Sequence, residues 1–276
     1  MNNNKIFTIV HLYPKEMNIY GDMGNILTLK VRMEQRGYKV DIKNLGVGVI
    51  KKSDLPNGDL YFMGGGQDDD MFKVFDDLLN NKKDFIMQEM NAGKVFLLIC
   101  GAFQLFGKYF IGSDGRQMDG LDILPITTKA PSDLIKERCV GNIVCELSEE
   151  ILEEMNSLGI PVKSRYLVGF ENHSGQTFFE ENSKKNISSL AKVIYGKGNN
   201  SLQKIEGARY RNIFGSYMHG SLLPKNPHFT DLLLNLALRN KFENSNREKG
   251  DIGLVGLEDE IEWQAHNTIL KRLLKL

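Results

Sequence analysis

Residues 94–110 read KVFLLICGAFQLFGKYF, and the order of residue types in this stretch sets the fold. Val95, Phe96, Leu97, Leu98 and Ile99 form a short unbroken apolar run, the pattern of a parallel strand covered on both faces. Cys100 stands where the run stops. From Gly101 onward, Ala102, Phe103, Leu105, Phe106 and Phe110 share one side of a helix, so the chain is expected to turn sharply at the thiol. A nucleophile on such a strand-to-helix elbow faces the crevice beyond the carboxyl ends of an open α/β sheet.

Working outward, KIFTIVHLY (5–13) reads as a strand, NILTLKVRMEQRG (25–37) as a helix ended by Gly37, and YKVDIKNL (38–45) as a second strand. DLYFMGGGQDDD (59–70) runs from a strand into three glycines, and a helical region over 69–93 leads to the strand before Cys100. This alternation predicts an α/β fold with a mostly parallel central sheet flanked by helices. Beyond Gly120 the texture becomes strand-like, in LDILPITTK, RCVGNIVCEL, KSRYLVGFEN, AKVIYG and ARYRNIFGSYMHG. These are expected as antiparallel additions to the same sheet. PKNPHFTDLLLNLALRNK predicts a helix with Asn226 as its cap and Pro227 at its first position. The expected division is one domain over 1–240, then a linker and amphipathic C-terminal helix over 241–276. Ile261, Ile269, Leu270, Leu273 and Leu274 are expected to form the packing stripe of that helix.

Composition narrows the function classes. The 276 residues are 41% hydrophobic and 25% charged, with 35 basic against 35 acidic side chains. No positive excess favours nucleic acid or an anionic membrane. The N-terminal stretch lacks a signal-peptide core, and no apolar run nears the roughly 18 residues of a membrane span, so the cytoplasm is the expected location. Three cysteines, at 100, 139 and 145, make no CxxC pair and no metal site is expected. Cys139 and Cys145 read as small core residues on one face of a strand.

Of the five histidines, His219 in IFGSYMHGSLLPKNP ends a strand and is followed by glycine, so it can reach the crevice from a loop. His173, in VGFENHSGQT, also ends a strand and is a candidate for lining the site. His228 and His266 are expected at the surface.

In combination, GGGQD, ICGAFQLFG, GFENHSG and GSYMHGSLLPKNP resemble the class I, cysteine-dependent glutamine amidotransferases of the cobyric acid synthase-like branch. The resemblance runs from about residue 6 to residue 240 and implies that family's flavodoxin-like architecture. It implies Cys100 as nucleophile and His219 as general base. Gly64, Gly65 and Gly66, with the N–H of Gly101, match the oxyanion turn. Gln104 and Arg138 match positions near bound L-glutamine, Arg138 being suited to the α-carboxylate. Other class I enzymes carry a glutamate two residues after the histidine, where this chain has Ser221. Asp22 and Glu171 are the candidates to orient the imidazole in its place, and Ala102 stands where the family usually has a second glycine.

The N-terminal HLYPKEMNIYGDMGNI, with GFENHSGQT and HGSLLPKNP, looks most like glutaminase subunits that serve lipid II amidation. By that resemblance no cofactor sits on this chain, and ATP and Mg are expected on a partner, a Mur-ligase-like subunit (MurT) in a heterodimer. The sequence has no G-x-x-x-x-G-K-[ST] phosphate loop of its own. Three rivals share the motifs: a subunit amidating another acceptor such as a corrinoid carboxylate, a non-enzymatic scaffold of the same fold, and a Cys-His peptidase.

Overall fold

The computed structural model describes residues 5–49, 51–112, 115–131, 138–181, 183–243 and 253–275. The expected βαβ opening is present as β1 (Ile6–Leu12), α1 (Met23–Gln35) and β2 (Lys39–Leu45). Gly37 follows α1 at φ +77°, a left-handed conformation that favours glycine. Next come β3 (Leu60–Met63), α2 (Asp68–Asp77), a π-helical turn (Leu78–Lys82), α3 (Lys83–Asn91) and β4 (Val95–Ile99). The helical region is therefore interrupted. Its π turn brings Lys82 inside, where the ammonium pairs with Asp77 and donates to the Gly48 carbonyl (2.9 Å). Asp77 also accepts from the Tyr13 hydroxyl (2.9 Å).

β3 and β4 are buried along their whole length, as their unbroken apolar sequence requires. They occupy the centre of a six-stranded sheet ordered β13-β14-β4-β3-β1-β2, in which β13 (Ala208–Tyr210) is antiparallel to β14 (Ile213–Ser216) and the other pairings are parallel. After Cys100, α4 covers only Gly101–Leu105, and Phe110 lies instead in β5 (Tyr109–Ile111).

The expected antiparallel additions to this sheet form mostly two other sheets. One joins β5, β6 (Gln117–Asp119), β7 (Ile126–Lys129) and β10 (Gln176–Phe179). The other is ordered β12-β11-β8-β9-β15, built from β12 (Ile205–Glu206), β11 (Ala191–Tyr195), β8 (Cys139–Leu147), β9 (Tyr166–His173) and β15 (Met218–His219). Helix α5 (Glu149–Ser157) joins β8 to β9. Alternation within a strand cannot report which sheet it joins, because a side chain buried between two sheets looks the same from either. Cys139 and Cys145 are both buried on β8.

Helix α6 (Pro227–Glu243) begins with Pro227 at its first position. The Asn226 side chain does not cap it. Its Oδ1 accepts from Val168 N (2.9 Å) and its Nδ2 donates to Val168 O (2.8 Å), tying the helix start to β9. The linker is described only at its ends, since residues 244–252 lie outside the described segments. Helix α7 (Glu260–Leu274) packs on the five-stranded sheet, with Leu270 against Val144 and Val168 and with Ile269, Leu273 and Leu274 partly buried. Ile261 departs from the expected stripe at 78% exposed. His228 and His266 are buried rather than superficial. His228 stacks on Trp263, and His266 bonds Lys225 O (2.8 Å) and Ser164 Oγ (2.9 Å).

A shared guanidinium fastens the C-terminal segment. Arg32 of α1 binds Asp231 of α6 through Nε (2.9 Å) and Nη2 (2.8 Å), and Asp259 through Nη1 (2.5 Å). Arg36 also donates to Asp231 Oδ2 (2.8 Å) and would remain, so Arg32→Ala is expected to cost roughly 2–3 kcal/mol in denaturant unfolding, below the full loss of a buried pair. Arg32→Lys is expected to recover only part of it, because an ammonium cannot form the paired contacts.

Candidate active site

Cys100 leaves β4 with φ 52° and ψ −106°, a left-handed backbone rare for a residue with a Cβ. The neighbouring strand holds it there, since Cys100 N donates to Ser216 O (2.8 Å). The thiol is 6% exposed and reaches a cavity of about 490 Å3.

His219, on β15, is fully buried. Its Nδ1 lies 3.2 Å from Asp22 Oδ1, a carboxylate delivered by the β1–α1 loop. A carboxylate oxygen accepts, which assigns a proton to Nδ1, while Nε2 is buried without a hydrogen-bond partner among the described residues. Burial alone would lower the pKa of His219, but the Cys100 sulfur and the Asp22 carboxylate outweigh it and raise the value to about 10. At neutral pH the imidazole is thus cationic beside the sulfur. The Tyr20 ring packs edge to face with His219 at 5.0 Å between centroids.

The glycine turn is fitted closely around the couple. A Cβ on Gly65 would sit 2.7 Å from His219 Cε1 and 3.3 Å from Cys100 Cβ, so only glycine allows the approach. Gly65 N–H does not face an oxyanion: it donates to Asp22 Oδ2 (2.7 Å). The N–H groups of Gly66 and Gly101 remain beside the elbow. A Cβ on Gly101 would lie 3.2 Å from Gly66 N, which shows how closely these two segments meet.

Gln104, Arg138 and His173 all line the same cavity as Cys100. Arg138 is exposed and its Nε donates to Asn172 Oδ1 (3.1 Å), which aims the guanidinium along the rim. Gln104 Nε2 donates to the Tyr217 hydroxyl (2.9 Å). His173 stacks on Tyr217 at 3.7 Å and bonds Gly175 O through Nδ1 (2.8 Å). Burial holds its pKa down to about 4, so it is neutral where His219 is charged.

Of the two candidates to orient the imidazole, Asp22 reaches it and Glu171 does not. Glu171 accepts from Lys197 N and Gly198 N (2.8 Å each) and closes the turn there instead. Ser221, at the position where other class I enzymes carry glutamate, donates instead to Gly21 O (2.6 Å), next to Asp22. Tyr20 and Asn172 are lining residues that sequence reasoning passed over. Both lie inside motifs already singled out, YGDMGN and GFENHSG, which was the available signal.

With this geometry in view, the chain can be compared with known proteins. The family profile of the CobB/CobQ-like glutamine amidotransferase domain matches residues 8–227. The chain is 36% identical over 251 residues to the lipid II isoglutaminyl synthase (glutamine-hydrolyzing) subunit GatD of Streptococcus pneumoniae, covering 91% of this chain and 85% of that one. To the GatD subunit of Staphylococcus aureus it is 31% identical, covering 96% and 95%. A cobyric acid synthase of Caldanaerobacter subterraneus is 27% identical over 65% of this chain and 32% of its own. Among solved structures, PurLQS from Thermotoga maritima aligns with a TM-score of 0.51 at 14% identity, covering 97% of this chain and 100% of that one. A glutamine amidotransferase crystal structure aligns at 0.50 and 15%, covering 83% and 98%. At such identities the structural matches establish the fold alone.

Asp22→Asn removes the anion that favours the imidazolium, so the His219 pKa is expected to fall by at least about one unit. Histidine-labelled NMR titration of the two proteins measures the shift directly. An unchanged titration would detach Asp22 from His219.

Proposed function

Because the chain belongs to the CobB/CobQ-like glutamine amidotransferase family, we propose that it is the glutaminase subunit of a lipid II isoglutaminyl synthase. The observation that carries the chemistry is the meeting of Cys100, which follows β4 and lines the cavity, with the buried imidazole of His219 on β15. The observation that favours this acceptor is similarity to two GatD subunits over nine-tenths or more of the chain.

L-Glutamine enters with its α-carboxylate toward Arg138, a planar fork suited to a carboxylate. The Cys100 sulfur attacks the side-chain carbonyl carbon, and the oxygen takes the charge against the N–H groups of Gly66 and Gly101. His219, held by Asp22, gives its proton to the departing nitrogen. Ammonia leaves and a thioester remains on Cys100. The imidazole then takes a proton from water, which attacks the thioester and releases glutamate. Sulfur and imidazole return to their starting states.

Ammonia is used on the partner, a Mur-ligase-like subunit of the MurT type forming a heterodimer with this chain. There ATP and Mg2+ activate the α-carboxyl of D-glutamate in the lipid II stem as an acyl phosphate, and ammonia displaces phosphate to give D-isoglutamine. Among the described residues no helix is long and apolar enough to cross a membrane, so any approach to a lipid-linked substrate runs through other contacts.

Co-expression with a Mur-ligase-like subunit tests the assignment. Cys100→Ala is expected to abolish amidation of lipid II with glutamine as donor while sparing amidation with added ammonium salt. Loss of both activities, or glutamine use by the Ala variant, would contradict the division of labour.

Arg138→Ala separates recognition from chemistry. Losing charge-assisted hydrogen bonds worth about 1.5–3 kcal/mol is expected to raise KM for glutamine by one to two orders of magnitude. Alkylation of Cys100 by iodoacetamide is expected to continue at its former rate.

A further inference from the structure

The strand that carries His219 is gripped from behind by a carboxyl group. Glu206 ends β12, at the point where the chain passes through Gly207 from the five-stranded sheet into β13 of the six-stranded one. It is fully buried. Its Oε1 accepts from both Ser216 Oγ (2.7 Å) and Tyr217 N (2.7 Å). The same Ser216 hydroxyl accepts from Met218 N (3.0 Å), and the Ser216 carbonyl accepts from Cys100 N (2.8 Å). Tyr217 in turn holds Gln104 through its hydroxyl. A single oxygen thus fixes the backbone between Ser216, the residue behind the nucleophile, and His219 three positions further on.

Among the described residues Glu206 makes no ion pair, and its Oε2 is buried without a hydrogen-bond partner. The titratable groups facing it are Glu171 from β9 and the thiols of Cys139 and Cys145 from β8, while the ammonium of Lys197 acts on the same cluster at Cys139 and Glu171. A carboxyl in such surroundings works against its own desolvation.

We propose that Glu206 is a positioning residue of the glutaminase site, a buried carboxyl that sets the Ser216–Tyr217 backbone and through it the placement of His219 and Gln104 against Cys100. This rests on the glutaminase reading above. Glu206 touches no substrate and acts only through these hydrogen bonds.

The environment also makes the grip depend on pH. Burial pushes the carboxyl up to about 7, against the opposing pull of the Ser216 and Tyr217 donors. Above that value the group is ionised and its hydrogen bonds are charge-assisted, hence stronger. Fold stability runs the other way: the folded pKa is raised, so this group's contribution is full below the unfolded value and is lost as pH rises through about 7.

The test compares the full wild-type chain with Glu206→Gln, alone and with the synthetase subunit, using L-glutamine hydrolysis and thermal melts from pH 6 to 8. Glutamine keeps the acceptor oxygen and removes the titration. The wild-type to variant kcat ratio is expected to rise by at least about threefold across this interval, while the difference in Tm moves in favour of the variant. Parallel kcat profiles in an active wild type would overturn the proposal, even if the melts diverge, because the carboxyl would then be structural only. A wild type unable to hydrolyse glutamine would overturn the glutaminase reading and this one with it. Should Glu206→Gln not fold, Ser216→Ala decides the matter. Without that donor the rise in kcat is expected at higher pH, and an unmoved rise would refute the assignment.

Discussion

One buried carboxylate, Asp22, holds the site together. Its two oxygens face two different chain segments, Oδ1 toward His219 Nδ1 and Oδ2 toward Gly65 N–H. The loop that brings Asp22 is fastened to the loop after His219 by Ser221 Oγ on Gly21 O and by Leu223 N on Asn25 Oδ1. Removed from water, a carboxylate with fixed partners keeps both strength and direction. The cationic state of His219 follows from that constraint together with the neighbouring sulfur.

Around this centre the backbone is strained where the chemistry needs it. Tyr20, Cys100 and Ser221 all adopt positive φ without being glycine, at a cost of order 1–3 kcal/mol each. The strain persists because the surrounding sheet is rigid: β4 and β14 pair in register up to Ile99 and Ser216, immediately before the elbow. The five-stranded sheet supplies another part of the wall, with Asn172 and His173 at the end of β9 and Arg138 just before β8. Lys225 closes the frame by donating to the carbonyls of Gly220 (2.5 Å) and Ser221 (2.9 Å), while its own carbonyl is held by His266 of the C-terminal helix. The C-terminal helix is therefore connected to the turn that follows His219.

Much of the architecture was legible in residue order. The run from Val95 to Ile99 before Cys100 specified a central strand and an elbow, because an unbroken apolar stretch of that length must be buried on both faces. The motifs around Cys100, Gln104 and Arg138 named residues that the fold does bring to one cavity, and His219 lies behind it beside the Cys100 sulfur. What local pattern could not state was partnership. The assignment of the later strands to separate sheets, the burial of His228 and His266, and the turning of Asn226 toward β9 all depend on which elements meet.

The same division applies within the site. Sequence alone determined the chemical groups, a thiol, an imidazole, a glycine turn and a guanidinium, since these follow from residue type and motif order. Only the tertiary structure decided between Asp22 and Glu171, which are 197 and 48 residues from His219 in the chain. It also turned Gly65 N–H toward Asp22 and placed Glu206 against the Ser216–Tyr217 backbone. The physical reason is common to all three: a hydrogen bond is fixed by direction and distance within a few tenths of an ångström, and long-range packing, which no local pattern encodes, sets both.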